Sequence, residues 1–400
     1  MLKPFLFQNQ LKDYFKKQDK TWEWFSKQLF SDNQIESLKT EILKNAYRLD
    51  SNSEVEIYEI LNYAKNKLGI VIPITIYQSQ NAELNNGSIY IFKTEAHIVL
   101  SGSVLKLLDK KELLALFGHE LSHIQFYTLE NGEFEVTNRI IEAIANDHSS
   151  QLYYFETARL FQLYLELFCD YGALQVTDDL EAVISTLIKL NTGLEKVSVE
   201  SYLKQVDEIL ARIELGSAGI THPEIYIRAK SLQLLHQDAD GNRDRIEKIV
   251  NGSLDLERLN IFSKQEVYDL TKIISDLILK PKWLQSDLLI VLYKQYFRTF
   301  NPKVNVLIDE VLKDKILNSK ENLKRYFAYV FVDFAMADRE LTEPAIGQFL
   351  DITEQLRIDS YFKDAIKKEM KFTEKPFKDY LKKCTSALNQ ILESDTESTY

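Results

Sequence analysis

The stretch Leu108-Asp-Lys-Lys-Glu-Leu-Leu-Ala-Leu-Phe-Gly-His119-Glu120-Leu-Ser-His123-Ile-Gln-Phe-Tyr127 decides the fold. Leu113, Leu116, Phe117, Leu121 and Ile124 recur at the spacing of an amphipathic helix, Asp109 with Glu112 predicts a capping box at its start, and Gly132 predicts a stop beyond its end. At about 100° per residue, His119 and His123 stand one turn apart on nearly one face, with Glu120 beside them. Two neutral imidazoles at this spacing can hold one zinc ion while the neighbouring carboxylate acts as general base toward a water. With 6 His in the whole chain a coincidental His-Glu-x-x-His is rare, so a metal site outranks an ordinary charged helix.

A second long helix is predicted over Gln151 to Val176, apolar on most sides and therefore buried. Glu166-Leu-Phe-Cys-Asp170 puts two carboxylates at i and i+4 among apolar neighbours, where an unpaired charge is costly. Glu166 is the expected third metal ligand, with Asp170 orienting a ligand histidine through its other ring nitrogen. Cys169 between them points elsewhere and reads as an inert buried thiol. Leu129 stands where a metzincin would carry its third histidine, which removes that arrangement.

Between a helix over 53–68 ended by Gly69 and the motif helix lie three predicted strands: Val71–Tyr77, Ser88–Phe92 and His97–Leu100, with Asn85-Asn-Gly87 as a turn signal. An edge of such a small sheet can take an extended peptide as an added strand. His97 on these strands reads as a surface or packing residue and not a ligand. Residues 5–48 carry Phe5, Leu11, Phe15, Trp22, Phe25 and Leu29 among many lysines, the pattern of amphipathic helices.

Four hundred residues with 45% hydrophobic content predict at least two domains, and only 12 Gly and 7 Pro argue for long helices with short connections. A formal charge of -11 disfavours the basic footprint that nucleic-acid binding requires. Cys169 and Cys384, far apart in sequence, form neither a disulfide framework nor a metal pair, which fits a reducing, cytoplasmic setting. The first residues have too short an apolar run for a signal peptide, and no window approaches the ~18 apolar residues of a transmembrane helix.

From about Leu49 to Leu235 the sequence resembles the zinc peptidase domain of the CAAX-prenyl-endopeptidase and HtpX family of gluzincins. The matching pieces are Asn81-Ala82, Glu112 to His123, Glu166-Leu-Phe-Cys-Asp-Tyr-Gly-Ala173, and Thr221-His222-Pro223 followed by Arg228. The resemblance implies His119, His123 and Glu166 as zinc ligands, Glu120 as base and proton shuttle, and Asp170 as the support of a ligand histidine. It also implies His222 as a donor to the oxyanion of the tetrahedral intermediate, whereas the residues alone equally allow a loop histidine before a Pro-started helix. Arg228 could contact substrate or, instead, anchor that helix to an acidic group. Many relatives embed the site among membrane helices that this sequence lacks, which leaves prenylated or membrane-embedded substrates without support here.

Beyond Leu235, Asp238-Ala-Asp-Gly-Asn-Arg-Asp244 lacks the spacing and bidentate Glu of an EF-hand and reads as a polar linker. The region 260–390 reads as repeated amphipathic helices. Within it Phe331 to Pro344 resembles the acidic turn of TerB-like tellurite-resistance domains, against the plain alternative of a helix-turn-helix capped by Thr342.

The expected architecture is mainly α with a small β-sheet, an α+β zincin-like peptidase domain, followed by an all-α C-terminal domain. Its parts are an N-terminal helical segment (1–48) packed on the peptidase domain (49–237), a linker (238–258), a helical, TerB-like domain (259–392) and a disordered tail (393–400). The expected function is a zinc-dependent endopeptidase acting on protein or peptide substrates, with no nucleic-acid partner. The alternative is a retired metallopeptidase that serves as a binding or regulatory module in a stress or defence system, but Glu120, which metal binding does not require, argues against it.

Overall fold

The computed structural model describes residues 2–27, 32–81, 84–303 and 305–397, and the chain divides into two compact units, Met1–Gly252 and Ser253–Tyr400. The first opens with three helices, α1 (Leu6–Lys16), α2 (Asp19–Lys27) and α3 (Asp32–Asn45). Phe7, Leu11 and Phe15 recur at i, i+4 and i+8 on α1 and are buried, and Leu2 and Phe5 ahead of it are buried too, with the Phe5 ring 5.1 Å from Tyr164. Leu29 and Ala82 lie outside the described residues.

A four-stranded sheet follows, built from β1 (Ala46–Arg48), β2 (Ile74–Ser79), β3 (Asn86–Ile91) and β4 (Ala96–Ser101) in the order β1-β2-β4-β3. β2 and β4 are parallel with Ile76 opposite Ile98, and β3 pairs antiparallel with β4 through Ile89 opposite Ile98. This corrects two sequence expectations. Asn86 and Gly87 belong to the edge strand β3 and not to a hairpin turn, and residues 46–48, read as helix, form a strand. The buried sheet face carries Ile74, Ile76, Ala96, Ile98 and Leu100, and α4 (Val55–Leu68) packs there through Leu61 and Ala64. Gly69 ends α4 in the left-handed region at φ 69°.

After the short α5 (Val104–Leu107) comes the motif helix α6 (Lys110–Thr128). Its capping box forms as expected: the Asp109 carboxylate accepts from the backbone N–H of Lys111 and Glu112, and Glu112 accepts from the N–H of Asp109 at 2.9 Å. The helix stops at Thr128, ahead of Gly132, which instead takes φ 88° before α7 (Glu133–Ala145). The long α8 (Leu152–Thr177) runs antiparallel to α6, followed by α9 (Leu180–Thr192), α10 (Val199–Arg212), α11 (Ile225–Gln237) and α12 (Arg243–Asn251). The last of these corrects the expected linker over 238–258: Ile246, Ile249 and Val250, at helical spacing, bury one face of α12 within the first unit.

The second unit is all-α, comprising α13 (Ile261–Ile278), α14 (Asp287–Phe297), α15 (Glu310–Leu317), α16 (Glu321–Ala337), α17 (Thr342–Gln355), α18 (Asp359–Glu369) and α19 (Glu374–Glu397). Its core gathers Phe327, Phe331, Phe334, Phe349 and Phe362. Leu341 rather than Thr342 is the N-cap of α17, with the Thr342 hydroxyl donating back to Asp338 O at 3.1 Å. The backbone of 393–397 continues α19, contrary to a tail without structure, and the remainder of that expected tail lies outside the described residues. No described helix is long and apolar enough to cross a membrane.

Candidate metal centre

Small residues set the distance between α6 and α8. A Cβ on Gly118 would lie 3.0 Å from the Ala173 backbone, and one on Gly172 only 1.8 Å from Ser122 Oγ, whose hydroxyl donates to Gly118 O at 2.7 Å. At the other end of the pair, the Phe126 ring lies 5.0 Å from Phe168 and 5.8 Å from Phe161. This close antiparallel contact brings Glu166 and Asp170 of α8 against His119 and His123 of α6.

The three expected donors meet. His119 Nε2 lies 3.4 Å from Glu166 Oε2 and His123 Nε2 3.7 Å from Glu166 Oε1, and donor atoms of all three residues fall within 4.8 Å of one another. Two donors bound about 2 Å from a tetrahedral zinc stand ~3.3 Å apart, so the spacing suits such an ion. Glu166 Oε2 is buried and accepts no hydrogen bond, the state of a carboxylate oxygen that a cation would complete.

Asp170, 2% exposed, faces His119 Nδ1 at 3.0 Å and receives the Arg228 guanidinium in two bonds, Nε to Oδ2 at 2.7 Å and Nη2 to Oδ1 at 2.6 Å. Arg228 on α11 therefore anchors its helix to the carboxylate that faces His119, one of the two roles the sequence left open. His222, in the loop before α11, is half-exposed, pairs through Nδ1 with Thr221 Oγ1 at 2.9 Å, and directs Nε2 to within 3.4 Å of Glu166 Oε2. Cys169 is buried and its thiol is pushed up by burial; His97 is a packing residue, with Tyr77 and Phe92 rings 5.3 and 5.2 Å away.

The electrostatics favour positive charge at this point. Burial alone would depress His119, yet the carboxylates of Asp170 and Glu166 outweigh it and raise its pKa to about 10. Burial pushes Glu166 up, but His119, His123 and Arg228 hold it below the usual carboxylate range. Burial also lowers His123 to about 4, which keeps its lone pair free, and raises Glu120 to about 7, where a carboxyl group exchanges protons near neutrality.

These side chains line a cleft of about 620 Å³. One wall is the edge strand β3, where Gly87 permits close approach: a Cβ there would meet both Glu120 Oε1 and Leu116 Cδ1 at 3.0 Å. Two contributions were invisible in sequence. Gly87 read as a turn residue, and Glu112 read only as a cap, whereas its carboxylate also accepts from Ser185 Oγ at 2.6 Å and Lys189 Nζ at 2.9 Å, fastening α6 to α9.

Residues 75–127 match the family model of peptidase family M48, a span that runs from β2 through both histidines and stops before α8. No curated protein and no solved structure matches the chain. Joined to the meeting of Glu166 with His119 and His123, the family match supports a metallopeptidase of the M48 type.

Proposed function

We propose that the protein is a zinc-dependent endopeptidase acting on polypeptides, carried by one observation: two histidines and a glutamate with a buried oxygen that accepts no hydrogen bond converge beside Glu120 in a cleft bordered by an edge strand. In this reading His119, His123 and Glu166 hold the ion. Zinc bound there would supply a Lewis acid that makes a water more acidic and polarises the scissile carbonyl. Glu120 takes a proton from the attacking water on its carboxylate and passes it to the leaving nitrogen, a role suited to a group raised to about 7.

Asp170 pairs with His119 Nδ1, which sets the ring's orientation and directs Nε2 toward the ion, while Arg228 balances the Asp170 charge. His222, the least buried of these groups, is assigned as the hydrogen-bond donor to the oxyanion. The edge of β3 holds the substrate extended through backbone bonds, so affinity depends little on sequence. The peptidase segment is 49–237, and the free, buried Cys169 and Cys384 fit a cytoplasmic setting.

The decisive comparison is wild type against Glu120→Gln on an unfolded protein, with zinc content measured in both. We expect hydrolysis to fall by about 10³-fold while the metal is retained. Equal behaviour of the two would leave a retired binding module.

A further inference from the structure

Three side chains of α8 meet the segment from Ser217 to Arg228 in the same order along both. Arg159, Glu166 and Asp170 stand at i, i+7 and i+11, on one face of the helix. Arg159 Nη1 donates to Ser217 O at 3.2 Å and to Gly219 O at 2.6 Å, His222 Nε2 stands 3.4 Å from Glu166 Oε2, and Arg228 holds Asp170. The segment is gripped at both ends, and His222 falls between the grips.

Arg228 belongs to the centre already described. Arg159 does not: it lies two turns, about 10 Å, along the helix axis from Glu166. In sequence it is one half of an i, i+3 pair with Glu156, which on a surface would contribute little. Here the Arg159 side chain is 6% exposed and that of Glu156 12%. Nε and Nη2 donate to the two Glu156 oxygens at 2.7 and 2.6 Å, which fixes the plane of the guanidinium and leaves Nη1 for the loop carbonyls. An ammonium group offers no such fork.

The rest of the loop keeps the shape that this grip imposes. Glu224 accepts from Ser217 Oγ at 2.7 Å and from the Ala218 N–H at 2.8 Å, and Ser217 Oγ accepts from the Gly219 N–H at 3.2 Å. The turn then closes so tightly that a Cβ on Gly219 would lie 1.9 Å from His222 O. A displacement at Gly219 is therefore passed on to His222.

We propose that Arg159 is a positioning residue: by clamping the 217–219 backbone to α8 it fixes where His222 Nε2 stands over Glu166. It acts through His222 and not on the reacting atoms. Its effect on rate rests on the peptidase reading above, whereas the clamp itself can be measured without catalysis.

Two variants of the full-length, zinc-loaded protein test this from opposite sides. Arg159→Met keeps a long side chain and removes the fork, while Gly219→Ala forces the turn open and leaves α8 untouched. Hydrolysis of an unfolded peptide is measured for both, for His222→Ala, and for Arg159→Met combined with His222→Ala. Amide hydrogen exchange over 215–223 and over α8 is followed by mass spectrometry.

We expect both single variants to keep zinc and KM and to lose about 10- to 100-fold in kcat. Loop amides should exchange about 5- to 30-fold faster, with α8 unchanged. In the His222→Ala background Arg159→Met should cost less than about twofold, because the group it places is gone. A merely structural arginine would lower kcat by the same factor with and without His222. That result, or unchanged kcat and loop exchange in both single variants, overturns the proposal and leaves the peptidase reading standing. Faster loop exchange in Arg159→Met, with no Glu120-dependent hydrolysis by the wild type, keeps the clamp and overturns the peptidase reading. Unchanged exchange with no such hydrolysis overturns both.

Discussion

Each compact unit buries a carboxylate on a helix, and the two are treated differently. In the second unit Asp276 on α13 is 1% exposed and has both oxygens engaged: the Tyr293 hydroxyl donates to Oδ1 at 2.6 Å, and Lys272 Nζ reaches Oδ1 and Oδ2 at 3.2 and 3.3 Å. In the first unit Glu166 on α8 is 6% exposed, and its Oε2 accepts no hydrogen bond while the Nε2 atoms of two histidines stand at 3.4 Å and Arg228 Nη2 at 3.7 Å. A satisfied cluster is stabilising structure. An under-satisfied one, placed in a cleft, is the pattern expected of a binding site.

That contrast can be broken most forcefully at Glu166. Glu166→Ala should abolish stoichiometric zinc and hydrolysis together, as measured by elemental analysis and peptide cleavage; full metal content in this variant would put the ion elsewhere. Asp170→Asn comes next. It leaves Arg228 buried with a weakened partner and His119 without its orienting carboxylate, so zinc affinity should fall about 10- to 100-fold, with a loss of roughly 3–5 kcal/mol of stability. Burial raises Asp170, but Arg228 and His119 more than offset this and hold it below its ordinary pKa. The stability it confers is therefore complete above about pH 4 and drains away as pH falls through its lowered value. In metal-free protein, Asp170→Asn should flatten that acid limb in denaturation curves.

A smaller effect is expected at His222, where His222→Ala should lower kcat by about 10²-fold and leave zinc in place. Loss of the metal instead would make His222 a ligand. The least effect on the centre comes from the satisfied cluster: Asp276→Ala should cost the second unit roughly 1–3 kcal/mol by leaving Lys272 and Tyr293 short of an acceptor, with zinc content unchanged. A calorimetric transition of that unit shifted down by a few degrees, beside unaltered metal, is the outcome that sharpens the comparison.

The motif helix was legible because cap, apolar period and chemistry coincide in twenty consecutive residues, so local reasoning suffices there. Glu166 and Asp170 were legible for a related reason, since a carboxylate pair flanked by Leu163, Leu165, Leu167 and Phe168 has no cheap solvated alternative. The pairing of β2 with β4 was not legible, because it passes over β3 and depends on contacts more than twenty residues apart in sequence. Strand β1, with three residues, is too short to show alternation. Helix α12 did carry a signal in Ile246, Ile249 and Val250, but the polar turn at Asp238 masked it. Nothing in the local sequence could reveal that Gly172 meets Ser122, since a close approach between helices is a property of two distant segments at once.

That meeting has a mechanical consequence. Where α6 and α8 touch through glycine and serine there is no long side chain to compress or swing aside, so the two helices rest on a hard stop. The donor atoms inherit that stiffness. Ions that need bonds of 2.3–2.6 Å and six or more oxygen partners would have to pry the helices apart, whereas a tetrahedral ion with bonds near 2 Å would not. If the centre holds an ion as proposed, that choice would rest on a helix contact some residues away as well as on the chemistry of the three side chains.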